Sequence, residues 1–414
     1  MTAYERTGNL REAGNLHRKI AHGMRDDPAS ARHHWEEARR LLGAGPETPE
    51  LARLYTTIAG YRYEDGDAPG AVELYGRAAE VARRVEDPVT QVSALIVLSG
   101  VRPVRDEERM FEDLREAVDL AERRELSDLI PNLYLVLALA RLHVRGDGPG
   151  AEQALAAALA AARRAQDVYS ERAIEGNLVS YVAWRLGEYE LALRTVAAHA
   201  QYAAGDPRKL EPTAMLVDAE IALTRGDWDR VTQDLEEAGA LLEGARDWSE
   251  RVQLWNLRAR VELRRGRLSR ARDALREARG LANRAGTPAL MAALYAETLL
   301  LDVEAATRAG EAEAAREALA ALASLGDDSG QPTIRAYSAR GRGLYLASTG
   351  DLSGAIAALE EASSLWERVG WKYELSQSQL RLAELYRAAG SSSTADLLES
   401  TARSYLGRIR ATLP

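Results

Sequence analysis

Small and large apolar residues recur along the chain at fixed distances from a series of glycines. A small residue, usually alanine, lies five residues after most of these glycines, a large apolar residue lies nine after, and alanine returns twelve after. Positions 5, 9 and 12 lie on one face of an α-helix, so the pattern predicts a helix with a buried stripe after each glycine. The glycines of the series are Gly66, Gly146, Gly187, Gly226, Gly266, Gly310, Gly350 and Gly390.

The glycines also predict where a preceding helix ends, because glycine enters the left-handed conformation without a steric penalty. The next residue is often Asp or Ser, which are good N-cap residues for a following helix. Prolines such as Pro49, Pro88 and Pro332 lie near predicted helix starts, where proline is tolerated. Each unit is therefore predicted to be a helix, a turn and a second helix.

Successive glycines are 39 to 44 residues apart, apart from the first gap of 80 residues, which equals two periods. A degraded turn around Arg105 and Asp106 fills that gap, and Asp26-Asp27-Pro28 lies about one period before Gly66. The valine-rich residues 91–101 fit the repeat as a helix. Since no helix pair buries its apolar stripe alone, neighbouring pairs must stack. We predict an all-α, right-handed superhelical solenoid of about ten helix-turn-helix units with a period of about 40 residues.

Glycine followed by alanine after five and twelve residues resembles the tetratricopeptide repeat, whose usual period is about 34 residues. The longer period resembles the sensor arm of the maltose-regulator-like branch of signal-transducing (STAND) ATPases. The resemblance implies a tetratricopeptide-like solenoid over residues 48–414. Residues 1–47 are predicted to be an N-terminal cap or a diverged first repeat. Residues 16–21 and 27–35 also resemble the junction where a winged-helix segment meets the repeats in those ATPases, so a junction remnant is the alternative.

Composition and charge narrow the class of protein. The chain has 54 Lys and Arg against 63 Asp and Glu, a net charge of −9, which disfavours direct nucleic-acid binding through a global basic surface. The absence of cysteine excludes disulfides, iron–sulfur clusters and thiolate zinc sites. No run of 18 apolar residues occurs, and charges are spread through the first 20 residues, which disfavours a membrane span and a signal peptide. We expect a cytoplasmic protein without membrane attachment.

Motifs for enzymatic chemistry are missing from the sequence. A P-loop needs Gly-Lys-Ser/Thr, but Lys19, Lys209 and Lys372 follow Arg, Arg and Trp. The histidine spacings do not fit a metal pair on one helix, and a cross-helix site of His22 and His33 is disfavoured. We therefore predict a non-enzymatic protein without a cofactor or a metal. An enzyme with an unrecognised site is the remote alternative.

First helices line the concave surface in this architecture, so their polar, aromatic and arginine side chains are the predicted binding residues. Aromatic and arginine side chains supply most binding hot spots. For Trp184 the alternative is packing in the core, whereas Trp228 is expected in the core. The arginine-rich residues 258–267 are a candidate for an anionic ligand. The predicted site consists of Asn177, Tyr181, Trp184, Arg185, Glu220, Asn256, Arg260 and Arg264, with Arg340 and Gln377 from later units.

The resemblance implies a helical-repeat scaffold that acts as the ligand-sensing or protein-docking arm of a bacterial signalling ATPase or transcriptional regulator. The alternative is a free-standing cytoplasmic adaptor that binds a peptide or helix in its concave groove. The expected partner is a protein or peptide, with a small-molecule inducer as a further class. The asparagine–lysine carboxylate clamp of peptide-binding tetratricopeptide domains is not reproduced, because lysine is missing from the relevant helices.

Overall fold

A computed structural model describes residues 9–24, 28–206, 211–243 and 248–412. These ranges are almost entirely helical and contain no β-strand. Within them, no helix is both long enough and apolar enough to cross a membrane. The chain divides into two compact units, Met1–Leu133 and Tyr134–Pro414.

In its described residues, the first unit contains three helix pairs and the start of a seventh helix. In each pair, the two helices pack against each other. Asp67 and Asp87 accept hydrogen bonds from the backbone N–H groups of Gly70 and Thr90, so these aspartates cap the helices that follow them. The pairs are α1 (Leu10–Gly23) with α2 (Pro28–Gly43), α3 (Pro49–Glu64) with α4 (Ala68–Arg84), and α5 (Pro88–Val101) with α6 (Glu107–Arg123).

The first unit contains the valine-rich segment and the degraded turn of the sequence analysis. The valine-rich segment is helical, as predicted, and forms most of α5. A short 3-10 helix, Val104–Asp106, occupies the degraded turn. The predicted turn residues Asp26 and Asp27 lie outside the described residues. Helices α1 and α2 form a pair that contacts α3, and the origin of residues 1–47 as cap, repeat or junction stays a prediction.

The second unit contains seven helix pairs, which brings the described pairs to ten. The first helix of its first pair is α7 (Ile130–Ala140), continued by a π-helical segment, Arg141–Arg145, and its second helix is α8 (Gly148–Arg164). The next first helix consists of α9 (Val168–Ala173), a π-helical segment (Ile174–Val179) and α10 (Ser180–Leu186), paired with α11 (Tyr189–Ala203). The remaining pairs are α12 (Pro212–Arg225) with α13 (Trp228–Leu241), α14 (Trp248–Arg264) with α15 (Leu268–Ala285), α16 (Ala292–Ala309) with α17 (Ala312–Asp327), α18 (Pro332–Thr349) with α19 (Leu352–Val369), and α20 (Lys372–Ala388) with α21 (Ser392–Arg408).

The predicted turns and buried stripe are confirmed. All eight glycines of the series have a positive φ, for example 84° at Gly187 and 85° at Gly350. The alanines at position five have no exposed surface, and neither do the alanines at position twelve. Because alanine is small, these positions allow the paired helices to approach closely. The alanines are Ala71, Ala151, Ala192, Ala271, Ala315, Ala355 and Ala395 at position five, and Ala78, Ala158, Ala238, Ala278, Ala362 and Ala402 at position twelve.

The second unit closes on itself. The Thr333 hydroxyl donates a hydrogen bond of 2.6 Å to the backbone carbonyl of His143. Beyond the last helix, the backbone N–H of Thr412 donates to the carbonyl of Thr224 at 2.8 Å. The first helices of this unit consequently surround a common interior, and that interior contains the candidate site.

Candidate functional site

Charged side chains from five first helices, α12, α14, α16, α18 and α20, surround a cavity of about 100 Å³ that we call the inner cleft. A volume of this size has room for several water molecules or for one end of a ligand. The residues that line the inner cleft are Glu220, Leu223, Thr224, Arg260, Leu263, Arg264, Glu297, Leu300, Leu301, Glu304, Arg308, Tyr337, Arg340, Tyr373, Glu374 and Gln377.

Glu297 is the central carboxylate of this interior and is only 3% exposed. It accepts a hydrogen bond of 2.9 Å from the Arg185 guanidinium, and it also forms an ion pair with Arg260. The Tyr337 hydroxyl donates to it at 3.4 Å. A buried carboxylate is stable only when such partners replace water, so Glu297 depends on both arginines.

Two further ion pairs extend this network. Arg260 also reaches Glu220 at 2.6 Å, and Arg340 pairs with Glu374 at 2.5 Å. Burial raises the pKa of the Glu220 carboxyl above its usual value, while the nearby Arg260 opposes this shift. Burial by itself would lower the pKa of Arg260, but the carboxylates Glu220 and Glu374 outweigh it and the pKa is raised.

The Arg185 guanidinium lies between two aromatic rings. Its central carbon is 4.2 Å from the ring centre of Trp184 and 4.6 Å from that of Trp371. Its Nε donates to the Tyr181 hydroxyl at 3.2 Å, and that hydroxyl lies 3.1 Å from His143 Nε2. Burial and the positive charge of Arg185 lower the pKa of His143 to about 3, so His143 is neutral near pH 7.

Arg264 differs from the other arginines of the inner cleft. Its guanidinium donates to the carbonyl of Leu223 at 3.1 Å and to the Tyr373 hydroxyl at 2.9 Å. No carboxylate of the described residues lies within ion-pair distance of it, whereas Arg308 pairs with Glu304 at 2.5 Å. Arg264 therefore brings to the cleft a positive charge without an ion-pair partner among these residues, although its charge acts at longer range on Glu220.

The structure corrects the expected exposure of five predicted site residues. Trp184 is only 8% exposed, so the alternative of core packing describes it. These side chains were expected on an open concave wall, but the second unit closes and places them in its interior. Their role in binding stays a prediction. The five buried residues are Tyr181, Trp184, Arg185, Glu220 and Asn256.

The other predicted residues fall into two groups. Arg260 and Arg264 line the inner cleft, together with Arg340 and Gln377. Asn177 is not among the residues lining this cleft. It lies in the second π-helical segment. Its amide donates a hydrogen bond of 3.4 Å to the carboxylate of Glu211, the residue immediately before α12.

The buried Asn256 has its hydrogen bonds satisfied within the second unit. Its amide donates to the carbonyl of Leu294, and its oxygen accepts from the Thr298 hydroxyl at 2.9 Å. Asn256 therefore acts as a link between two first helices, α14 and α16, in this arrangement.

The arginine-rich segment of α14 does not form one cluster. The Arg258 guanidinium lies over the Trp255 ring at 4.6 Å, and that of Arg265 lies over Trp228 at 5.0 Å. Trp228 was expected in the core but is 37% exposed, because it begins α13 at the surface. Of the arginines in residues 258–267, only Arg260 and Arg264 line the inner cleft.

The sequence contained a signal for two of the residues that were missed. Glu297 and Tyr337 lie 13 residues before Gly310 and Gly350, the same offset that separates Gln377 from Gly390. Projecting this one position through every unit would have found them. Tyr373 and Glu374 carry no such repeat signal. In the described part of the chain, no group of three His, Asp or Glu side chains could hold a metal ion.

The sequence matches no protein-family model and no curated protein. Among solved structures, a Rap protein complexed with Competence and Sporulation Factor is 12% identical, with a TM-score of 0.58 over 88% of this chain and 100% of that chain. The apo quorum sensor NprR from B. thuringiensis is 13% identical over 98% of this chain and 99% of that chain, with a TM-score of 0.39. BtubC from P. vanneervenii is 19% identical over 56% and 93%, with a TM-score of 0.36.

At these identities, the likeness to the Rap protein concerns the fold alone. It confirms the all-α solenoid of tetratricopeptide-like helix pairs that the spacing of glycine and alanine predicted. The resemblance to the sensor arm of signal-transducing ATPases stays a prediction.

Proposed function

We propose that this chain is a helical-repeat binding protein, and that the inner cleft receives part of a peptide or protein ligand. The observation that carries the proposal is Arg264, a partly buried guanidinium of the inner cleft that has no ion-pair partner among the described residues and interacts only at longer range with Glu220. A partly buried charge without a counter-charge is unfavourable, and a ligand that supplies the anion removes that cost. Concave sites with a few fixed polar groups are typical of ligand recognition.

The likeness to the Rap protein is consistent with this proposal, since that protein was solved with Competence and Sporulation Factor bound. A shared fold does not carry a function by itself, so the support for binding comes from the side chains of the inner cleft. The cavity of about 100 Å³ is smaller than a site that encloses a whole drug-sized ligand. We therefore expect it to hold one end or one side chain of a longer ligand.

The test is affinity selection with the full chain and an equimolar pool of random octapeptides with free termini. Mass spectrometry then identifies the peptides retained above bare resin. Gln377→Trp fills the inner cleft with an indole ring and should lower retention at least fivefold. Gln233→Trp introduces the same ring at an exposed position of α13 and should leave retention unchanged.

Two results contradict the proposal. Enrichment of no peptide above bare resin would show that the chain does not bind this class of ligand. Equal retention by Gln377→Trp, with an unchanged circular dichroism spectrum, would place binding elsewhere on the molecule.

The finer proposal is that the chain serves as the sensing or docking arm of a cytoplasmic signalling ATPase or transcriptional regulator. Its support is the period of about 40 residues and the resemblance of residues 16–21 and 27–35 to the junction of such proteins. The test is the coding sequence around this segment. An ATPase with a P-loop in the same or the adjacent gene supports the arm, and a free-standing gene without such a neighbour supports the adaptor.

A further inference from the structure

We propose that the second unit binds a monocarboxylate with an apolar body, whose carboxylate contacts Arg264 while its body lies against Leu344 and Leu385. This inference rests on the proposed function, since it names the chemistry of the ligand for the same cleft. It follows from the charges in the inner cleft, the free donors of Arg264 and Arg340, and a cavity with leucine side chains in its wall that adjoins the cleft.

The count of charges favours one negative charge on the ligand. Four carboxylates belong to the inner cleft, and each has an arginine partner. Four guanidinium groups line the cleft with them, and Arg185, which pairs with Glu297 but does not line the cleft, brings the guanidinium groups to five. The sum is +1, and one carboxylate on the ligand would bring it to zero. The charged groups are Glu220, Glu297, Glu304 and Glu374 with Arg185, Arg260, Arg264, Arg308 and Arg340.

Hydrogen-bond donors are available where the extra positive charge lies. The Arg264 guanidinium uses its two terminal nitrogens for Leu223 and Tyr373, and each terminal nitrogen carries a second N–H. The Nε of Arg340, on α18, is buried and has no hydrogen-bond partner among the described residues. Guanidinium groups with spare donors suit a carboxylate, which accepts two parallel hydrogen bonds.

A dianion such as phosphate suits this cleft less well. It would leave a net charge of −1 in a cleft that already contains four carboxylates. Repulsion between like charges in a partly buried site is screened only weakly. The same four carboxylates therefore act as a filter for ligands that carry a single negative charge.

A second cavity of about 300 Å³ adjoins the inner cleft and shares Glu304 and Arg308 with it. Its walls include Leu344, Leu359 and Leu385, and Arg381 and Glu384 in the same wall pair with each other at 2.8 Å. Burying apolar surface is favourable, so a ligand that extends from Arg264 into this cavity gains affinity from its body. The geometry points to an amphipathic acid, either the apolar C-terminus of a peptide or a free acyl chain.

The experiment uses N-acetyl-leucine, N-acetyl-leucinamide, acetate, octanoate and inorganic phosphate as probes of the full chain. Binding is followed through the arginine Nε–H signals in NMR spectra during titration. We expect N-acetyl-leucine to bind at least tenfold more tightly than its amide and than phosphate, and more tightly than acetate. The order of octanoate and N-acetyl-leucine distinguishes an acyl chain from a peptide terminus, and binding of either supports the proposed class.

Variants assign the two parts of the site. Arg264→Gln should weaken N-acetyl-leucine at least tenfold, whereas Arg265→Gln, whose guanidinium lies over Trp228, should leave the affinity unchanged. Leu385→Ser should weaken N-acetyl-leucine but not acetate. If Arg264→Gln fails to fold, the comparison between the acid and its amide on the unmodified chain still decides the role of the carboxylate.

Three results overturn the inference. If the amide binds as tightly as the acid, the cleft does not recognise the carboxylate. If phosphate binds as tightly, the cleft does not select for a single negative charge. If acetate binds as tightly as N-acetyl-leucine, the apolar body does not contribute to affinity. If none of these small acids binds while the octapeptide pool is still retained, the inference fails and the proposed function stands.

Discussion

Replacing Glu297 with glutamine should destabilise the second unit strongly. The carboxylate is 3% exposed and is shared by Arg185 and Arg260. At roughly 4 Å between charge centres and an effective dielectric constant of about 20, each pair contributes about 4 kcal/mol, or about 8 kcal/mol together. The variant no longer has to bury a charged carboxylate, and avoiding this desolvation offsets several kcal/mol of the loss. We expect a net loss of about 3–5 kcal/mol in the free energy of unfolding.

The assay is denaturation in urea, followed by circular dichroism and by the fluorescence of the tryptophans. The matched control is Glu313→Gln, which removes the partner of Arg316 at a position where the glutamate side chain is 73% exposed. Exposed ion pairs contribute about 0–1 kcal/mol, so this control should hardly change the transition. Because repeat arrays can unfold in several steps, the two probes have to be compared before a free energy is taken.

A double-mutant cycle separates the ion pair from other effects of substitution. We combine Glu297→Met with Arg185→Met and measure each variant alone. Since removing both partners leaves no unpaired charge at that pair, the double variant should be less destabilised than the sum by at least about 2 kcal/mol. A loss below about 1 kcal/mol in Glu297→Gln, equal to that of Glu313→Gln, would refute the assignment of Glu297 as the central carboxylate.

Three further predictions concern backbone conformation and pH. Gly350→Ala should lower the free energy of unfolding by about 1 kcal/mol, because φ is 85° at this position. Gly280→Ala, inside α15 where a Cβ has open space, should raise it by about 0.5–1 kcal/mol. Thermal or urea unfolding measures both, and a change of the same sign in the two variants would contradict the prediction. The pKa of His143 is about 3 in the folded chain against 6.5 in the unfolded chain. The free energy of unfolding should therefore fall as pH drops below 6.5, by about 2 kcal/mol at pH 5. His143→Gln should reduce that fall. Burial and the nearby Asp218 raise the pKa of Asp234 from 3.8 to about 7, so this group lowers the free energy of unfolding as pH rises from about 4 to 7. Urea unfolding of Asp234→Asn at several pH values should lack that decrease. A pH profile equal to that of the unmodified chain would contradict the prediction.

The spacing of glycine and alanine was sufficient to predict the helices because both depend on local geometry. A positive φ ends a helix whatever surrounds it, and an alanine stripe is required wherever two helices cross closely. Eight of the ten described pairs follow from these two conditions, whereas the pair joined by Val104–Asp106 and the first pair were located from the period of the repeat. A period repeated along the chain fixes contacts between neighbouring units.

The interior of the second unit could not be predicted in the same way. Arg185 and Glu297 are 112 residues apart, and His143 and Thr333 are 190 apart. Which first helices face each other depends on how far each pair is rotated from the last, and small rotations accumulate over several units. Trp184 was therefore placed on the correct face of its helix, but its burial required knowledge of the closure.

The ionic character of this interior needs a reason other than stability. Apolar side chains of similar size would often give an equal or more stable core, because desolvation offsets most of the attraction within a buried ion pair. What the ion pairs provide is a fixed geometry and a fixed balance of charge around the inner cleft. Four carboxylates pair with four of the five guanidinium groups, and Arg264 is left without an ion-pair partner among the described residues and with spare N–H donors of its own. A ligand that completes this balance gains affinity from an arrangement that the fold has already prepared.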